Sequence, residues 1–272
     1  MPQSRCSRRF LAGRSVVTFF VGACVFFLCS ACALHAPAPS LTSDDVRQVV
    51  RRFAAIQQRM LNCPQAISAD FQARSYSWSH SLAFTGYLLA QSPFQIKIVS
   101  LHPGGQPFSL LSIRDRSFRF VSLADKAVYE GDVASDFFRK TGMVQMDVQH
   151  GFYWLTGRLP AGSVVEDTIQ ATDIPGVARF RIKTAEELYE IDFDFLVERV
   201  MAIRSLVADA PWEISYRWSD RTADCRAPAS VEFQEGNGTR LELGLSGVIW
   251  HRDLPDRMFQ TPIPPGFAIK QQ

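Results

Sequence analysis

The chain has 272 residues, with 29 Lys+Arg against 27 Asp+Glu, and is 47% hydrophobic and 21% charged. That suffices for one large domain or two small ones with a packed core, and it argues against intrinsic disorder. A net charge of +2 argues against a dedicated nucleic-acid binder, which would need a basic stripe, and 21 Phe against only 5 His favours apolar surface over titrating chemistry.

The N-terminus is unlike the rest. Arg5, Arg8, Arg9 and Arg14 precede an uncharged run from Ser15 to Leu34, nearly all apolar from Val16 to Leu28. A basic segment, a short apolar stretch and small residues after it describe a secretory signal, whereas a retained membrane anchor needs about 20 apolar residues. The run closes on Leu28-Cys29-Ser30-Ala31-Cys32-Ala33, which resembles a bacterial lipobox. Cys29 occupies the position where such boxes usually carry Leu, and Leu28 stands one place earlier. The expectation is a lipoprotein signal peptide over 1–31, a lipidated (palmitate-bearing) Cys32 with a Pro/Ala tether over 32–42, and a single domain over 43–272. The alternatives are an uncleaved anchor and secretion without lipid. Cleavage before Cys32 leaves 241 residues with a net charge near −2. Cys63 and Cys225 then remain as an even pair in an oxidising compartment, either a disulfide or two separate thiols.

Along the domain, Ser43 is placed to cap a helix over 43–62, with Asp44 and Asp45 at its positive end. Val46, Val49, Val50, Phe53, Ile56 and Met60 recur at helical spacing. Arg47, Arg51, Arg52 and Arg59 accompany them, either as groups that meet anionic headgroups or as a solvated face. Past Pro64 the period changes to two. Strands are expected over 67–79, 83–91, 94–101, 108–114, 117–122, 165–173 and 199–207, and alternation is cleanest at 179–183, 189–194, 213–218, 231–234 and 240–243. Hairpin turns are signalled at Asp115-Arg116, Asp125-Lys126 and Gly236-Asn237-Gly238. Between the strand groups, Val133, Phe137, Phe138, Met146, Val148, Phe152, Trp154 and Leu155 fit short amphipathic helices within 132–157. So many strands curl, and one apolar face must be covered. The predicted fold is α+β: a curved, incomplete antiparallel β-barrel of about 11 strands covered by short α-helices.

Four local patterns carry a family resemblance: the amphipathic helix followed by a strand through Phe71-Gln72-Ala73; Thr85-Gly86-Tyr87-Leu88; Tyr153-Trp154-Leu155-Thr156-Gly157-Arg158-Leu159-Pro160; and Phe259 through Pro262 to Pro265-Gly266-Phe267. Over roughly 43–269 this layout resembles the LolA/LolB superfamily of lipoprotein-sorting proteins. The resemblance implies a protein without enzymatic activity or cofactor that shields acyl chains or receives lipidated proteins, in contact with a periplasmic carrier. An anchor at Cys32 points to the membrane-attached, LolB-like branch at the outer membrane, facing the periplasm. Relatives of that branch expose a Leu in an early loop. Its counterpart here is Leu101-His102-Pro103-Gly104-Gly105-Gln106-Pro107-Phe108, where Gly104 takes the Leu position and Leu101 and Phe108 are the candidate substitutes.

The alternating strands place Phe180, Ile182, Ile191, Phe193, Ile214, Tyr216, Trp218, Phe233, Leu241 and Leu243 on one face, as candidate cavity lining or as ordinary core. Local catalytic patterns are thin. Gly244-Leu245-Ser246-Gly247 is followed by Val248 where a nucleophile elbow needs Gly. Asp147 and His150 sit three residues apart in the manner of a solvated helix face, and His80, His102 and His251 are scattered without the pairing of a metal site. The sequence therefore points to an outer-membrane lipoprotein that binds acyl chains or lipidated proteins. The alternative is an envelope scaffold that uses the same fold without a ligand.

Overall fold

The computed structural model describes residues 41–76, 81–140, 150–159, 162–184, 187–206, 211–219, 225–236 and 238–272. Cys32, the signal and most of the tether lie outside the described residues, as do His80, Met146, Asp147, Val148, Pro160 and Asn237. The chain divides at its N-terminal end into two units, and the second, Ser40–Gln272, is the one described below.

It begins with helix α1, Ser43–Leu61. The cap is Thr42, one residue before the expected Ser43: its hydroxyl accepts from the Asp45 backbone N–H while the Asp45 carboxylate accepts from the Thr42 N–H at 2.9 Å. This reciprocal box needs an acid three residues after the cap, and Thr42 has one in Asp45 whereas Ser43 would have Val46 there. Asn62 closes the helix, where the sequence placed its end.

Fourteen strands follow: β1 Ala66–Tyr76, β2 Ser81–Gln91, β3 Gln95–Leu101, β4 Pro107–Arg114, β5 Ser117–Ser122, β6 Ala127–Asp132, β7 Ser163–Ala171, β8 Val177–Lys183, β9 Leu188–Asp194, β10 Arg199–Ser205, β11 Trp212–Arg217, β12 Ser230–Glu235, β13 Arg240–His251 and β14 Ala268–Gln271. Among the described residues, two short helices interrupt them, α2 Asp136–Lys140 and α3 Gly151–Thr156. The strands form one curved, unclosed sheet in the order β14-β6-β5-β4-β3-β2-β1-β13-β12-β11-β10-β9-β8-β7. Strand β13 pairs with β1, so the two runs of consecutive hairpins share one continuous sheet.

The sheet has more strands than the 11 expected, and its pairing is not wholly antiparallel, because β14 runs parallel to β6. Both β6 and β14 escaped the pattern for physical reasons. In β6, Gly131 leaves a side-chain gap: a Cβ there would lie 2.5 Å from the Gln272 carbonyl oxygen of the neighbouring chain end. Strand β14 is exposed at all four residues, so it has no buried face to produce alternation and is held by backbone pairing at an edge. Gly86 in β2 is fixed by similar crowding, since a Cβ would stand 1.9 Å from the Val99 carbonyl oxygen of β3.

The outer face of β8–β11 carries a ladder of charges. Arg179 donates to Asp192 at 2.7 and 2.9 Å, and Arg204 donates to Asp192 at 2.8 Å and to Glu213 at 2.9 Å. Burial alone would raise the Asp192 pKa, but the hydrogen bonds from Arg179 and Arg204 outweigh it and hold the carboxyl below the usual range. A carboxylate with a depressed folded-state pKa stabilises the fold above its unfolded pKa and loses that contribution as pH falls through the folded value. Asp192→Asn is expected to cost about 1–2 kcal/mol at pH 7. The difference from the native chain should shrink below about pH 4, which urea unfolding at several pH values would measure.

Candidate functional site

The inner face of the sheet is the apolar one, and helices cover it. Alternation puts Phe180 and Ile182 of β8, Ile191 and Phe193 of β9, Ile214 and Tyr216 of β11 and Phe233 of β12 on that face, all buried in one cluster with Val49 and Phe53 of α1 and Trp154 of α3. The Phe53 ring meets Phe180 and Phe193 edge-on, with centroids 4.9 and 5.4 Å away. Trp154, fully buried, meets Tyr189 and Trp212 at 5.5 and 5.4 Å. The other half of the face, on β1–β5 and β13, packs Phe71, Leu88, Ile113 and Phe118 against Phe138 of α2 and Phe152 and Leu155 of α3. Tyr153 and Leu241 touch both clusters.

The structure thus brings the ten expected lining residues to one face, with Trp218 and Leu241 half-buried against the first cluster and Leu243 against the second. It also fills the space over them. Phe53 and Trp154 occupy the volume in which the sequence allowed for an open chamber, and the layer between helices and sheet is packed. Two buried donors in this layer have no hydrogen-bond partner among the described residues, Trp154 Nε1 and the Tyr216 hydroxyl. Burial pushes the Tyr216 phenol well above its ordinary pKa, so it remains a protonated donor at neutral pH.

Helix α1 is held lightly. Only Val49 and Phe53 are fully buried on it. Its polar face rests on the β9–β10 turn: Arg52 donates to the Phe195 carbonyl at 2.8 Å, and Arg59 pairs with Glu198. Arg47 pairs with Asp44, and Arg51 is exposed. At its C-terminal end a disulfide joins Cys63 to Cys225, 162 residues away.

Leu101 and Phe108 do not protrude. Both are half-buried, with the Phe108 ring 6.1 Å from Phe84 and 4.9 Å from His102. Leu196 and Val197 on the β9–β10 turn are among the exposed aliphatic side chains, with Leu61, Leu82, Ile174 and Ile249. His251 Nε2 lies 2.9 Å from the Ser68 hydroxyl. Among the described residues, no three His, Cys, Asp or Glu side chains gather as a metal site.

Among the described residues, the clefts open to solvent include two of note. One, of about 430 Å³, lies on the outer face between β4–β6 and the C-terminal segment. Its cations are spent on that segment: Arg114 pairs with Asp256 at 2.8 Å, and Arg119 donates to the Thr261 carbonyl at 2.7 Å. Beside it, Lys97 donates to the Met258 and Gln260 carbonyls at 2.9 and 2.8 Å, so the closing segment that resembled its family counterpart is strapped across the outer face. The second cleft, of about 90 Å³, sits at the end of α1 and includes Trp218, Arg158 and Arg199.

Arg158 is the residue the sequence reading passed over. It lies inside a quoted motif, in a stretch with no Asp or Glu from 148 to 165, and that isolation was the available signal. The structure buries it to 3% exposure, with its guanidinium carbon 4.4 Å from the Trp250 ring centroid and Nη1 donating to the Pro64 carbonyl at 3.0 Å. Burial lowers its pKa to about 10, so it stays charged at neutral pH.

No protein-family model matches the sequence, and no curated protein matches it. Solved structures do match its fold. A LolA superfamily protein from Nitrosomonas europaea aligns with TM-score 0.54 at 10% identity, covering 77% of this chain and 97% of that one. A DUF1329 family protein from Desulfovibrio piger aligns with TM-score 0.53 at 10% identity, covering 78% and 97%. A domain from Vibrio parahaemolyticus, provisionally described as an outer membrane lipoprotein-sorting protein, aligns with TM-score 0.50 at 11% identity, covering 77% and 97%. The chain has a LolA-like fold. Among the described residues, no helix is long and apolar enough to cross a membrane.

Gly157 closes α3 in the left-handed conformation, φ 65°, and a Cβ there would lie 2.7 Å from the Trp218 ring. Gly157→Ala is expected to cost about 2 kcal/mol or more, through the positive φ and the displaced Trp218, measured as a lower Tm and a changed tryptophan emission.

Proposed function

We propose that this protein handles acyl chains in the bacterial envelope as a non-enzymatic lipoprotein, anchored through Cys32 at the outer membrane in the manner of the LolB-like branch. The observation that carries the reading is the inner face: a broad apolar surface on an unclosed sheet, covered by helices of which α1 buries only two side chains fully. Magnitudes favour exchange. Lifting α1 exposes Val49 and Phe53 at about 2–3 kcal/mol each. An acyl chain of roughly fifteen methylenes gains about 0.8 kcal/mol for each one buried, or about 12 kcal/mol before the entropy of binding. The disulfide would retain the C-terminal end of α1 while its N-terminal end opens. The unpartnered donors Trp154 Nε1 and the Tyr216 hydroxyl then offer hydrogen bonds to an ester carbonyl entering the layer. The lipoprotein-sorting description of the Vibrio parahaemolyticus domain supports the same direction. Chains would pass from a periplasmic carrier according to relative affinity.

The tight packing of Phe53, Phe180 and Trp154 favours a second reading, an envelope scaffold whose inner face serves only as core. Extraction and mass analysis of the purified full-length chain, with titration of a fluorescent fatty acid, separates the two. Saturable uptake near one ligand per chain is the expected result. Consistently empty protein with no uptake would favour the scaffold.

A further inference from the structure

The small cleft at the end of α1 has an unusual charge composition. Four guanidinium groups line it, Arg59, Arg158, Arg199 and Arg226, with one carboxylate, Glu198. That carboxylate is already engaged by Arg59 and approached by Arg52 at 4.0 Å. Among the described residues, Arg158, at 3% exposure, has no carboxylate partner, and none accepts from its Nη2. Arg199 Nε, from the first residue of β10, is likewise buried with no hydrogen-bond partner among the described residues. Two guanidinium groups, each with one buried nitrogen left over, are therefore brought from α3's exit and from β10 to line one cleft.

Leaving such donors buried and unpaired is costly, and like charges gathered around one cleft repel. An anion relieves both costs. The planar fork of a guanidinium matches the oxygens of a phosphate or carboxylate, and two forks from different elements suit a tetrahedral group with several oxygens. The size agrees: about 90 Å³ holds roughly three waters at ~30 Å³ each, or one small oxyanion.

We propose that this cleft binds a phosphate-type oxyanion, taken between Arg158 and Arg199 with Arg59 at the rim. Two sources share this chemistry, a free phosphate and a phospholipid headgroup. The neighbouring Leu196 and Val197, 60% and 53% exposed, give the cleft an apolar border of the kind found where headgroups meet acyl chains. The cleft borders the acyl layer and shares Ile56, Val200 and Trp218 with it, but inorganic phosphate carries no acyl chain, so its binding and fatty-acid uptake can each fail while the other holds.

The test uses the full-length, disulfide-intact chain. Calorimetric titration with inorganic phosphate, with short-chain dihexanoyl phosphatidylglycerol, and with dihexanoylglycerol as a phosphate-free control, distinguishes the sources. Saturable binding of a phosphate-bearing probe, weakened at least tenfold in Arg199→Gln and Arg158→Lys and unchanged in Arg74→Gln on the exposed face of β1, supports the site. Binding of inorganic phosphate assigns a free oxyanion, and binding of the phospholipid alone assigns a headgroup. No saturable binding of either phosphate-bearing probe, or binding that Arg199→Gln leaves within twofold of the native chain, overturns it. Arg199 is only half-buried, so its variant keeps the test available where replacement of Arg158 disturbs folding.

Discussion

An unclosed sheet with one apolar face must bury that face against something, and in this protein the cover is helical. Closure into a barrel would have made the inner surface self-sufficient. Because β7 and β14 end the sheet without pairing with each other, the burial of Phe180, Phe193 and Ile214 depends on Val49, Phe53 and Trp154. The same dependence makes the cover exchangeable in principle, since a helix that contributes little buried area competes with any apolar group of greater area.

The two faces divide the work. On the outer face, cross-strand ion pairs such as Arg179–Asp192–Arg204 hold the register of β8–β11, and the C-terminal segment straps β3–β5 through Lys97, Arg114 and Arg119. Most of the firm polar fixings described lie on that side or at the rim. The helices rest on the inner face mainly through apolar contact, and α1 is tied covalently at one end only, through Cys63 and Cys225. A sheet under a cover with a single disulfide tie, at one end, is a geometry suited to opening.

The clearest strands were legible because alternation and burial coincide: β8, β9, β11 and β12 each put every second side chain into the core. Where that coincidence fails, the sequence is silent. Strand β14 has no buried residue, and β6 gives up a side chain at Gly131 to admit the chain end. The helical cap was displaced by one residue because the decisive partner, Asp45, lies three positions after Thr42 rather than after Ser43. The lining residues of the inner face could be read from periodicity, but whether the space above them is open depends on how two helices pack, which is a three-dimensional fact. Arg158 and Arg199 illustrate the same limit: nothing in the spacing of residues 41 apart shows that both border one cleft.

The central claim is that α1 is a displaceable cover over an acyl-binding face. Hydrogen exchange of the α1 backbone amides, measured with and without saturating fatty acid, tests it most directly. The account predicts that amides from Val46 to Phe53 lose protection at least tenfold on ligand addition while those of β8 and β9 keep theirs. Unchanged or increased protection of α1 at saturation would contradict it.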